Sequence, residues 1–86
     1  MENQTLELKE LIRNFTLEKL SEILNYEKTN DPLQNHLKII HVMGEVLTFC
    51  KSSLFIEGMQ SVMNITSAEI ETIANQVISE ITHELY

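Results

Sequence analysis

The sequence contains one cysteine, one proline, two glycines and no tryptophan among 86 residues. The single cysteine, Cys50, cannot form a disulfide within the chain. Glycine and proline build the tight turns of β-sheet proteins, so their scarcity argues against a β-rich fold. Leucine, isoleucine, glutamate, lysine and glutamine recur instead, and these residues suit helices. The composition therefore predicts an all-α protein.

Basic residues are few, and they are unevenly placed. The sequence has six lysines and arginines and 13 acidic residues, which gives a net charge of −7. All six basic residues lie within residues 1–51, whereas residues 52–86 carry five glutamates and no basic residue. Contact with nucleic-acid phosphates requires lysine or arginine. We therefore expect no direct binding of nucleic acid.

Long uncharged hydrophobic runs are also lacking. The most apolar stretch, residues 39–56, is interrupted by His41, Glu45 and Lys51, which predicts a core helix and no membrane association. The N-terminal residues lack the basic-then-apolar pattern of a secretory signal. Together with the single cysteine, these features predict a cytoplasmic protein.

An apolar fraction of 43% and a charged fraction of 22% are typical of a packed globular chain. No repeat or linker interrupts residues 1–86, so we predict a single helical domain. A chain of this size has a thin margin of stability, and self-association is a common remedy.

Apolar spacing divides the N-terminal part into two predicted helices. Residues 4–14 form the first, with a stripe of apolar residues every three or four positions. The stripe then changes phase, and Thr16 is predicted to be the N-cap of a second helix, with Phe15 and Leu20 at the positions of a hydrophobic staple. The first stripe comprises Leu8, Leu11, Ile12 and Phe15, and the second Leu17, Leu20, Ile23 and Leu24.

Asp31 followed by Pro32 predicts the start of the next helix, because aspartate is a good N-cap and proline is tolerated in the first turn. This helix has two adjacent apolar stripes, which predicts that it lies at the centre of the fold with other helices on most sides. A break is expected between Ser52 and Gly58. The stripes are Leu33, Leu37, Ile40, Met43, Leu47, Cys50 and Leu54, and Ile39, Val42, Val46 and Phe49.

The clearest helix start is Thr66-Ser67-Ala68-Glu69, which matches a capping box. It predicts a final amphipathic helix after a short helical stretch through Met59 and Met63. The fold prediction is thus a small all-α bundle of four or five short amphipathic helices around a central apolar helix. The apolar face of the final helix comprises Ile70, Ile73, Ala74, Val77, Ile78, Ile81 and Leu85.

No set of residues suggests catalysis, a metal or a cofactor. The three histidines, His36, His41 and His83, lack the spacing of a zinc site, and His41 with Glu45 is better explained as a pair on a solvated helix face. Cys50 lies on an apolar stripe, where a thiol is inert. We expect a non-enzymatic protein.

The candidate binding residues lie in the C-terminal part. Its glutamates could attract a larger, basic-surfaced protein, or they could merely keep the chain soluble. Two methionines four residues apart could form an adaptable apolar patch, or they could fill the core. The candidate partner-binding residues are Glu57, Met59, Met63, Glu69, Glu71, Glu80 and Glu84.

Two functions follow from this pattern. The first is a regulator or inhibitor of microbial or phage type that occupies a functional surface of a larger protein, either with the acidic face as a mimic of DNA or through an apolar patch at Met59 and Met63. The alternative is a homo-oligomeric structural or adaptor module, such as a homodimer, with the C-terminal helix at its interface.

Overall fold

The computed structural model describes residues 2–27 and 29–85. Lys28, in the polar connection before Asp31, lies outside the described residues. The chain forms four α-helices with no strand among the described residues: α1 (Glu2–Glu22), α2 (Pro32–Cys50), α3 (Ser53–Val62) and α4 (Ser67–Leu85). A π-helical turn, Ile23–Glu27, continues α1. The prediction of an all-α bundle is confirmed.

The predicted break at Thr16 is wrong. Helix α1 runs without interruption from Glu2 to Glu22, and Thr16 is completely buried within it. Its hydroxyl donates a 2.7 Å hydrogen bond to the carbonyl of Ile12 one turn earlier. Because its own helix satisfies the hydroxyl, the β-branched side chain can pack among apolar residues. Thr16 thus belongs to the buried row of α1, which is Leu8, Ile12, Thr16, Leu20 and Ile23.

Helix α2 begins where the sequence predicts. The carboxylate of Asp31 accepts a 3.0 Å hydrogen bond from the backbone N–H of Leu33, and Pro32 occupies the first turn. The helix packs against α1, α3 and α4. Its buried face is narrower than predicted, however, because Leu33, Leu37 and Ile40 are at least half exposed.

The predicted break after α2 falls at Lys51 and Ser52. The hydroxyl of Ser52 caps α3 by accepting a hydrogen bond from the backbone N–H of Phe55, and α3 is bent by 58° from α2. In the described part of the chain, no single helix is long and apolar enough to cross a membrane. Helices α2 and α3 reach that length and hydropathy only when taken together across the bend.

The capping box at the start of α4 is confirmed. The hydroxyl of Thr66 accepts a hydrogen bond from the backbone N–H of Glu69, and the Glu69 carboxylate accepts one from the backbone N–H of Thr66. Ile65 and Ile70 flank the box and are buried. Helix α4 then packs against α1 and α2. Its buried face matches the prediction at Ile70, Ile73, Ala74, Val77 and Ile81.

Gly58 lies inside α3 and does not break it. A side chain at this position would meet no atom within 4 Å, and the backbone has no positive φ. Replacement by alanine removes conformational freedom from the unfolded chain without strain in the folded one. We expect Gly58→Ala to raise the free energy of unfolding by about 0.5–1 kcal/mol, measured by urea denaturation. A loss of stability would show that the site is not an open helical position.

Candidate interaction surface

Two of the C-terminal glutamates form ion pairs with α1. Nζ of Lys9 lies 2.8 Å from Oε1 of Glu80, and Nη2 of Arg13 lies 2.7 Å from Oε2 of Glu84. Both carboxylates lie towards the end of α4, where they oppose the helix dipole. The cations of α1 offset that cost and balance both charges. These glutamates therefore serve contacts between two helices of the same chain.

The other candidate glutamates occupy different surroundings. Glu69 is held in the capping box, and Oε1 of Glu71 lies 3.6 Å from Nζ of Lys51. Glu57 is exposed on α3, and it makes no ion pair with any residue that the structure describes. Along α4, Glu71 and Glu80 are separated by nine residues, or about 14 Å. The five glutamates are thus spread over the molecule, and three of them have a cation nearby.

Met59 and Met63 are half-buried and pack against the core. Each side chain therefore fills part of the core and also keeps some of its surface exposed. The most exposed apolar side chains of α3 are instead Leu54, at 78%, and Val62, at 70%. Neither Leu54 nor Val62 was among the binding residues predicted from the sequence.

The apolar face of α4 is used within the chain. Ile70, Val77 and Ile81 are at most 1% exposed, because α1 and α2 pack against this helix. Leu85, at the end of the helix, is the exception, with 39% of its surface exposed. The described structure therefore offers little of this face to a second molecule.

A row of exposed apolar side chains lies on α2. We call it the α2 outer stripe and define it as Leu33, Leu37, Ile40, Gly44 and Leu47. Leu33 is 62% exposed, Leu37 51% and Ile40 50%, while Gly44 is exposed and Leu47 half-buried. The stripe lies beside the buried face of α2, and Leu47, at the edge of the stripe, also packs against the core. These leucines were predicted to lie in the core, because the wide apolar arc was taken as the sign of a helix with neighbours on most sides.

The structure does not assemble the histidines into a metal site. Nε2 of His41 lies 2.7 Å from Oε1 of Glu45, and both side chains are largely exposed, which agrees with a pair on a solvated helix face. Among residues 2–27 and 29–85, no three histidine, cysteine, aspartate or glutamate side chains come together in a way that could hold a metal ion.

Cys50 is buried, as predicted, with 2% of its surface exposed. Burial raises the pKa of its thiol from 9.0 to about 11, since the charged thiolate is poorly solvated there. At pH 8 the lower thiolate fraction alone should slow its reaction with a disulfide reagent by roughly 100-fold. We expect slow labelling of the native protein and fast labelling in urea. Equal rates in both conditions would contradict the burial of this side chain.

Comparison with protein-family models found no match, and no curated protein or solved structure is significantly similar to this chain.

Proposed function

We propose that this chain is a non-enzymatic protein-interaction module that binds another polypeptide through the α2 outer stripe. The observation that supports the proposal most directly is the exposure of three large apolar side chains in one row. Leu33, Leu37 and Ile40 each keep half or more of their surface in water. Covering them would contribute roughly 1 kcal/mol each. A regulator or inhibitor of a larger protein and a self-associating adaptor both belong to this class.

The acidic route to binding has less support. The two glutamates near the end of α4 pair with cations of α1, and Glu69 stabilises the start of α4. Reversing the charge of these residues would disturb the fold as well as any partner contact. Glu57 is the better probe of an acidic interaction, because it is exposed on α3. If Glu57→Lys weakened partner binding while the helical content stayed unchanged, the acidic surface would have a part in recognition.

The proposal can be tested with a photoreactive amino acid placed at Ile40 in the full chain. After irradiation in cells, we expect a covalent adduct with a polypeptide, because this position lies at the middle of the stripe. The matched control places the same amino acid at Leu6 of α1, which is 57% exposed. No polypeptide adduct at Ile40, or equal labelling at both positions, would overturn the proposed function.

A further inference from the structure

We infer that the polypeptide that covers the α2 outer stripe is the same stripe of a second copy of this chain, paired antiparallel. This inference rests on the proposed function and names the partner of that site. The two copies would be related by a two-fold axis midway between Ile40 and Gly44. Three features bear on this arrangement: the spacing of the stripe, its glycine and the low charge of α2.

The spacing of the stripe fits a helical partner. Its five positions are separated by four, three, four and three residues, which is the heptad pattern by which two α-helices pack side by side. Lys51 continues the spacing by four residues at the end of α2. The fully buried residues of α2 are others, and Leu47 is the member of the stripe that also packs against the core. A flat protein surface would not require the heptad pattern.

The position of Gly44 favours an antiparallel pair of identical helices. With the axis midway between Ile40 and Gly44, the branched side chain of Ile40 lies over Gly44 of the second copy, where no atom lies within 4 Å of the Cβ position. Leu37 then lies opposite Leu47 of the second copy. A parallel pair would instead place glycine against glycine and leave a gap, with Lys51 facing Lys51. The antiparallel pair fills the gap and separates the lysines.

The repulsion between two copies is weakest at this face. Each chain carries a net charge of −7, so two copies repel each other over much of their surface. Helix α2 is the exception, because it contains one acidic residue, Glu45, and one basic residue, Lys38. Glu45 lies against His41 of the same helix. Two acidic molecules can therefore meet along α2 without bringing opposed carboxylates together.

The size of the stripe sets the expected strength of the dimer. Leu33 and Leu47 are 14 residues apart, which corresponds to about 21 Å of helix. A contact between two such stripes is smaller than the roughly 800 Å² per partner of a standard stable interface. We therefore expect a concentration-dependent equilibrium between monomer and dimer. Sedimentation equilibrium from about 10 μM to about 1 mM covers the range expected of so small an interface.

Two variants test the interface in that experiment. Ile40→Glu places a charge at its centre, and we expect a dissociation constant at least about 10-fold higher. Gly44→Lys fills the space for Ile40 of the second copy, with the same expected effect, while the open surroundings of Gly44 allow the monomer to fold. Leu6→Glu on α1 is the control and should dimerise like the wild type. A wild type that stays monomeric up to the highest concentration would overturn the inference.

Disulfide trapping tests the direction of the helices. In the antiparallel pair, position 33 of one copy lies opposite position 51 of the other, while the two copies of position 33 are about 27 Å apart along the axis. A disulfide requires Cα atoms within about 7 Å. A mixture of Leu33→Cys and Lys51→Cys should therefore cross-link efficiently, whereas each variant alone should not. The wild type, whose Cys50 is buried, and Leu6→Cys are the controls.

Other outcomes would contradict the inference in distinct ways. Cross-linking of Leu33→Cys with itself would indicate a parallel pair, and no cross-link above the level of Leu6→Cys would exclude the proposed pairing. If the photoreactive Ile40 variant instead formed its adduct with a different protein, and the purified chain were monomeric, the proposed function would stand and the second copy would be excluded. Absence of any polypeptide adduct at Ile40 would overturn both.

Discussion

Replacement of Leu8 by alanine is expected to lower the free energy of unfolding by about 2–5 kcal/mol. Leu8 has no exposed surface and lies on the face of α1 that packs against α4 and α2. The substitution removes the contacts of the missing carbons and leaves a cavity that neighbouring helices can only partly close. A domain of this size has about 4–13 kcal/mol of stability in total. The expected loss is therefore a large share of the whole.

The measurement is urea denaturation followed by circular dichroism, with Leu11→Ala as the matched control. Leu11 lies in the same helix, and its replacement by alanine removes the same atoms, but 47% of its surface is already exposed. Both leucines were predicted to lie in one core stripe, whereas the structure buries only Leu8. We expect Leu11→Ala to cost about 1 kcal/mol or less. Equal losses for the two variants would contradict the observed orientation of α1.

The starts of α2 and α4 were predictable from sequence because their signals are local. The Asp31 cap with Pro32 and the capping box from Thr66 to Glu69 involve residues that lie within one turn of each other, and the structure contains both. The apolar face of α4 was also predictable, since its period is regular and no polar residue interrupts it. Such patterns depend little on the rest of the fold.

The outer stripe of α2 could not be predicted, because burial depends on how many helices are available to cover a face. Sequence periodicity identified two apolar stripes on α2, and the structure buries part of each: Met43 and Cys50 in the first, and Ile39, Val42 and Val46 in the second. Three neighbouring helices in a chain of 86 residues do not enclose the full circumference of a 19-residue helix. Leu33, Leu37 and Ile40 were therefore predicted to be core and are surface in the structure.

The roles of the candidate glutamates were equally inaccessible to sequence reasoning. Glu80 and Glu84 meet their partners, Lys9 and Arg13, across a separation of 71 residues. Contacts over such distances depend on how α1 and α4 pack, and no local pattern encodes them. A carboxylate near the end of a helix suggested an external role, whereas the structure provides cations within the same chain.

The continuity of α1 leads to the second large expected effect. Helix α1 was predicted to end before Thr16 because the apolar stripe changes phase there, and its continuation would place Lys19 at a core position. The structure shows that threonine can occupy the row when its hydroxyl bonds to the carbonyl of Ile12. The continuous helix and the interrupted one differ most at Leu17. In the continuous helix, Leu17 lies inside the 21 residues of α1. In the interrupted arrangement, it would be the first residue of a new helix.

Leu17→Pro is therefore expected to lower the free energy of unfolding by about 3 kcal/mol or more. Proline removes the backbone N–H that bonds one turn back, and its ring clashes with the carbonyl there. At the first position of a helix, by contrast, proline is well tolerated. Leu17→Ala is the control, since it removes a 40% exposed side chain and keeps the helix intact. If urea denaturation found the proline variant as stable as the alanine variant, a helix would begin after Thr16, and the continuous α1 would be wrong.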